Sequence, residues 1–319
     1  MASNMNTELL QKFSDPNQGI YFVGTTPPRA STDDMQMSQI AGKLLDRLSH
    51  LDYDGLIVYD IQDESARTDV PRPFPFVGTK DPRAYSQLLA EKSGRPMITY
   101  KSVSQRNREE FQSWLDDAWH QYGIRNLVLV GSPSQDADIK LSLNEAYATL
   151  EERDDNFALG GVTIAERHAK KGNEHQRLHG KATKGCRYFI SQAVYDADAT
   201  IELLTSYGKQ CQAEGTAPQR VILTFTPCGS SKTLEFMQWL GISVPSDISD
   251  KIIESNNPLA ESIRVCRSNL NRILDACLPL GIPLGLNIES LTNRKDEIEA
   301  SIRLFKLLKA TLEERLQNH

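Results

Sequence analysis

Short apolar runs rich in β-branched side chains alternate along this chain with longer stretches in which apolar positions recur every three or four residues. That alternation is the signature of repeated βα units. Eight runs predict strands, at 19–23, 55–59, 96–100, 126–130, 157–162, 188–192, 220–225 and 282–288. Helical periodicity fills the intervals, for example at 35–51, 107–122, 198–213, 231–240 and 258–278, and a last helix is predicted over 294–316. Eight alternations in 319 residues predict an α/β protein built as a single closed (β/α)8 TIM barrel, because an open doubly wound sheet usually needs fewer strands per domain. No Gly/Ser-rich linker, low-complexity tract or evident repeat divides the chain. The expectation is one barrel domain over 1–319, with 1–18 as an N-terminal extension.

Composition narrows the function classes. Hydrophobic residues at 39% suffice for a large core, and the net charge of −6 argues against a nucleic-acid or anionic-membrane partner. No run approaches the roughly 18 apolar residues of a membrane span, and the N-terminal residues lack a cationic start followed by an apolar stretch. A cytoplasmic location is the expectation, with a homo-oligomer left open. Five cysteines without CxxC spacing suggest buried free thiols rather than disulfides or a zinc site.

A barrel places its chemistry at the C-terminal ends of its strands and in the loops beyond. Those ends carry Gly24-Thr25-Thr26, Asp60 with Asp63, Glu64 and Arg67, Tyr100-Lys101-Ser102, Gly131-Ser132-Pro133, Glu166-Arg167-His168, Gln192 with Tyr195, Thr226-Pro227-Cys228, and Asn287 with Glu289. His175 and His179 stand four apart with His168 nearby, but without HExxH order or a carboxylate placed as a further ligand they read as surface histidines, and no metal is expected. Gly229-Ser230-Ser231-Lys232-Thr233 lacks the glycine that a phosphate loop needs before its lysine; it reads as a turn with Ser230 or Ser231 as N-cap. No Gly-x-Ser-x-Gly elbow is present. The run Pro71-Arg72-Pro73-Phe74-Pro75-Phe76 is too proline-rich for regular structure, and is either a lid over the mouth or a rigid connection covering apolar surface.

Several segments resemble the methylenetetrahydrofolate reductase family in order and spacing. Tyr21-Phe22-Val23-Gly24-Thr25-Thr26-Pro27-Pro28 is similar to its opening strand, which ends in Glu, two residues and Pro-Pro. The stretch from Lys181 through Gln192 and Tyr195 to Asp196 resembles the family's segment whose Gln touches the folate pterin. Glu166-Arg167-His168 resembles its Glu-x-His, and 221–229 its seventh strand and turn. The resemblance covers residues 20 to 310. It implies a reductase acting on methylenetetrahydrofolate, with FAD and a reduced nicotinamide (NADH or NADPH) passing hydride to a reduced folate. Gln192, Tyr195 and Asn287 would then contact the substrate, and His168, Lys181, Tyr100 and Ser132 the flavin.

Three positions depart from that pattern. Gly24 replaces the family's first-strand Glu, Gly131-Ser132-Pro133 stands where Arg-Gly-Asp is usual, and Tyr100 replaces a third-strand His. The general acid must therefore come from elsewhere or be absent. In a closed barrel the eighth strand adjoins the first, so Glu289 is placed to fill the vacancy, with Asp60 and Glu64 flanking it from strand two. The alternative for Glu289 is structural: a cap on the final helix or a pair with Arg67 or Arg294. The alternative for the whole chain is a folate-binding homologue or partner subunit without reductase activity, or a flavin-independent enzyme acting on another one-carbon or methylated substrate.

Overall fold

The computed structural model describes residues 2–65, 68–132 and 138–319. Eight parallel strands close into a barrel in sequence order: β1 (Tyr21–Thr25), β2 (Gly55–Val58), β3 (Met97–Ser102), β4 (Asn126–Val130), β5 (Ala158–Thr163), β6 (Cys186–Ala193), β7 (Arg220–Phe225) and β8 (Leu284–Ile288). β8 returns to β1 through the pairs Tyr21 with Leu286, Phe22 with Asn287 and Val23 with Ile288. Before and between them run α1 (Ala2–Ser14), α2 (Asp34–Leu48), α3 (Pro82–Ser93), α4 (Arg108–His120), α5 (Leu143–Glu151), α6 (Ala165–Lys171), α7 (Glu174–Thr183), α8 (Ala197–Glu214), α9 (Ser231–Trp239), α10 (Ser246–Ile253), α11 (Pro258–Cys277) and α12 (Lys295–Gln317). The (β/α)8 TIM barrel expected from the alternation is the fold. All five cysteines are buried and free, and no described helix is long and apolar enough to cross a membrane.

Side chains alternate across each strand, so every second residue enters the barrel. Ile20, Phe22, Ile57, Ile98, Tyr100, Val128, Tyr188, Ile190 and Ile222 form the interior cluster, while Leu56, Val58, Leu127, Phe189, Val221, Leu223, Leu286 and Ile288 face the helices. Space inside is limited. A Cβ at Gly160 would lie 2.1 Å from the Tyr188 ring, so glycine at that position lets the tyrosine cross the interior.

The N-terminal extension is a helix, and it closes the N-terminal end of the barrel. Leu9 and Phe13 of α1 are buried in the interior cluster, with the Phe13 ring stacked on Tyr188 at 4.3 Å. Arg220, wholly buried at the start of β7, donates to the carbonyls of Lys12, Phe13, Asp15, Gln18 and Leu284. It thereby ties together carbonyls at the end of α1, in the turn that follows and at the start of β8. Burial lowers its guanidinium to about 10. With that end sealed, the opposite mouth is the open one.

Candidate functional site

The inward parity of the strands decides what reaches the mouth. From β1, Phe22 leads to Gly24; from β2, Ile57 leads to Tyr59; from β3 comes Tyr100; and beyond Gly285 of β8 come Asn287 and Glu289. One rung past the last β1–β8 pair, Gly24 and Glu289 adjoin. A Cβ on Gly24 would stand 2.8 Å from Glu289 Oε2, 3.0 Å from Tyr59 Cε2 and 3.1 Å from Asn287 Oδ1. The carboxyl of β8 therefore occupies the neighbourhood that a β1 side chain would need.

Hydrogen bonding around this group is unbalanced. Asn287, with no exposed surface, donates from Nδ2 to the Tyr59 hydroxyl at 2.8 Å and to Thr224 Oγ1 at 3.1 Å. Its Oδ1 is buried without a partner. Tyr59 bonds the Glu289 carboxyl, which favours the ionised form, but desolvation is the larger effect and raises Glu289 to about 7. Desolvation likewise pushes the Tyr59 and Tyr100 hydroxyls well up, with the Glu289 charge adding to it. The two rings meet edge to face at 4.8 Å. Two acceptor oxygens, of Asn287 and Glu289, thus converge on Gly24, and a proton on Glu289 relieves the conflict.

The other carboxylates of strand two are placed differently. Asp60 accepts from Lys101 Nζ at 3.2 Å, from the Ser102 amide at 2.8 Å and from Gln62 Nε2 at 2.9 Å, so its oxygens are committed to joining β2 to β3. Burial lowers the Lys101 ammonium despite that partner. A polar hollow of about 240 Å³ lies beside this pair, lined by Gln62, Lys101, Ser102, Gln105, Arg106 and Glu110. Glu64 is half-buried and its charge is felt by Arg72.

Of the expected substrate contacts, Gln192 sits half-buried at the end of β6 and gives its amide N–H to the Leu240 carbonyl at 2.8 Å. Next to it, Glu166 accepts from the Ser243 amide at 3.0 Å, and burial raises its carboxyl. Tyr195 is only 1% exposed, with its hydroxyl on the Thr226 carbonyl at 2.7 Å and its own carbonyl held by Asn269. It is a core residue joining β6 to α11 and offers a ligand almost no surface.

The residues expected along a flavin do not converge on one exposed cradle. Tyr100 is inside the barrel, and Ser132 is at the end of β4, whereas His168 and Lys181 are buried among the helices behind β5. Lys181 Nζ donates to the Val162 carbonyl at 2.6 Å, and burial lowers its ammonium to about 8. The His168 ring packs edge to face on His175, with both Nδ1 atoms buried and unpartnered. His179 instead pairs with Glu214 at 2.6 Å. No group of three or more metal-ligating side chains gathers among the described residues.

The structural alternative for Glu289 is not what the chain adopts with Arg294, which pairs with Asp296; Arg67 and Pro133 lie outside the described residues. Ser230 caps α9, accepting from the Thr233 amide, and Glu297 holds the preceding turn through Gly229 N and Thr233 Oγ1. Tyr59 was not singled out by sequence reasoning. Its signal was available: it stands two residues beyond inward Ile57, so it had to face the mouth.

The proline-rich segment arches from the end of β2 toward α9. Trp239 Nε1 donates to the Val70 carbonyl at 2.9 Å, and Phe74 meets Phe236 edge to face at 5.3 Å. Its return is pinned to the β1–α2 loop by an antiparallel bridge between Arg29 and Thr79. Since β1 and β8 stand between β2 and β7 in the ring, this strap lies on the Gly24 and Glu289 side of the mouth.

No family model and no curated protein matches the chain. Among solved structures it is similar to an uncharacterized protein from Clostridium thermocellum that binds two copies of 5-methyl-5,6,7,8-tetrahydrofolic acid, at 36% identity and a TM-score of 0.81, covering 96% of this chain and 99% of that one. A dihydropteroate synthase from Xanthomonas albilineans covers 93% of this chain and 94% of its own, but at 11% identity and a TM-score of 0.45. A 2,3-dimethylmalate lyase gives 11% and 0.48, over 98% of this chain and 88% of its own. These two carry no functional weight.

Proposed function

Because the chain belongs to the same family as the Clostridium thermocellum barrel, one related to the methylenetetrahydrofolate reductases, we propose that it binds a reduced one-carbon folate, of the 5-methyltetrahydrofolate class, in the mouth beside Gly24 and Glu289. The observation that carries this reading is that relative's ligand, on a chain matching this one over nearly its whole length. The chemistry of the mouth agrees with it. Glu289 is a carboxyl at the open end and Asn287 Oδ1 an unpartnered acceptor beneath it, so the site is short of N–H donors. The 2-amino-4-oxopyrimidine edge of a tetrahydrofolate presents adjacent N–H donors, which a carboxylate accepts in pairs. Gln192 is the second polar group assigned to the pterin in this reading, as the family resemblance implies.

Retained binding with altered chemistry is the better-supported form of this reading, since the acid expected on β1 is glycine and the expected flavin contacts are dispersed. Reductase activity is the second reading, favoured by one observation: the Glu289 carboxyl, raised to about 7 next to Gly24, keeps its proton on about half of the molecules at neutral pH. In that case Glu289 would be the acid that opens the methylene bridge, FAD would supply hydride chemistry when bound, and NADH or NADPH would be the donor. Thermal unfolding with and without 5-methyltetrahydrofolate tests the binding. A ligand at one hundred times its Kd adds about 2.7 kcal/mol to folding stability, and no shift at millimolar ligand contradicts the proposal. Oxidation of NADH or NADPH by methylenetetrahydrofolate, seen only with the protein present, would move the reading to the reductase.

A further inference from the structure

The strap and α9 pack into a cluster of cations and aromatic rings on the same side of the mouth as Gly24 and Glu289. The Arg72 guanidinium lies 5.2 Å from the rings of both Phe236 and Trp239 and 5.6 Å from Phe76. Lys232 Nζ stands 4.6 Å over Phe74, which itself abuts Phe236. Two cations thus share one aromatic platform. Among the described residues neither has a carboxylate at ion-pair distance; Asp63 and Glu64 act on Arg72 only at longer range, and Asp63 is held by Ser65.

Cation–π stacking accounts for the face of the guanidinium and leaves its edge unexplained. Arg72 Nε is buried and has no acceptor, although N–H groups removed from water are almost always paired. An edge with donors in one plane matches a carboxylate, and the half-buried rings of Phe74 and Phe76, lying over the buried Phe236 and Trp239, match a planar ligand ring.

We propose that Arg72, seated on Phe236 and Trp239 with Lys232 beside it, is the subsite for the carboxylate-bearing aryl tail of the ligand. The chemical class is a benzoyl amide of an acidic amino acid, as in the p-aminobenzoylglutamyl part of folates, so the inference rests on the folate reading and deepens it. The topology is consistent with one molecule reaching both places. The strap leaves β2 and α9 follows β7, with Gly24 and Glu289 between them on β1 and β8.

The test is a titration of wild type and R72Q with 5-methyltetrahydrofolate and with 6-methyltetrahydropterin, which lacks the tail, followed by tryptophan fluorescence. Wild type should bind the folate at least about tenfold more tightly than the pterin. R72Q should lose most of that difference while binding the pterin as wild type does, and R72K, which keeps the charge but not the fork, should fall between them. Equal weakening of both ligands in R72Q, or unchanged folate affinity, would overturn the subsite. Failure of wild type to bind either compound would remove the folate reading, and this inference with it.

Discussion

Gly24→Glu would return a carboxyl to β1 and drive it into the space that Glu289 Oε2 approaches, next to Tyr59 and Asn287. Overpacking and like-charge repulsion should cost about 2 to 4 kcal/mol in chemical denaturation, and adding Glu289→Gly should recover most of it. If the single variant is as stable as wild type, the two positions do not share one space. Glu289→Gln tests the same carboxyl through pH. The folded carboxyl titrates near 7 and its unfolded reference is 4.5, so between those values the folded state keeps a proton that the unfolded state has lost. Stability from this group is complete below about 4.5 and is lost as pH rises through 7, by no more than about 3 kcal/mol. The glutamine variant should lack that slope. The adjacency was legible in the sequence because closure of eight strands makes β8 the neighbour of β1. The desolvation was not, since it comes from Tyr59, Tyr100 and Asn287 arriving from three strands.

Among the elements, α1 shows what periodicity alone misses. Its sequence is mostly polar, with Leu9 and Phe13 as its deeply buried apolar residues, so nothing local distinguishes it from a loose extension. Its place is fixed by Arg220, more than 200 positions away, through main-chain carbonyls that no side-chain pattern announces. Arg220→Ala should remove the donor shared by five carbonyls, of which only Lys12 and Asp15 are also given a backbone N–H by the turn, and destabilise the barrel by about 3 kcal/mol or more in urea unfolding. A loss below about 1 kcal/mol would mean that the helix is held by Phe13 and Leu9 together with the Lys12–Asp54 and Asn6–Asn126 contacts rather than by Arg220. Strand and helix positions, by contrast, were readable to within a few residues, because apolar runs buried on both faces depend on local composition.

At the scale of the whole molecule, the fold and the family relation were visible in the order of short motifs, while the shape of the site depended on distant meetings. The proline-rich strap could be seen, but its partner could not: Val70 and Trp239 are 169 residues apart. Tyr195 is buried for a related reason, since α11 packs over it and takes its carbonyl through Asn269. What emerges is a barrel sealed at one end by its own N-terminal helix and open at the other over the Glu289 carboxyl, which lies beside Gly24 of β1. The most direct test of that account is isothermal titration of 5-methyltetrahydrofolate into wild type and Glu289→Gln at pH 7, in two buffers of different ionisation enthalpy. Ligand N–H donors favour the ionised carboxylate, so wild type should release about half a proton on binding, and Glu289→Gln should bind more weakly with no release. Binding with the same proton balance in both proteins, or no binding to wild type, would contradict it.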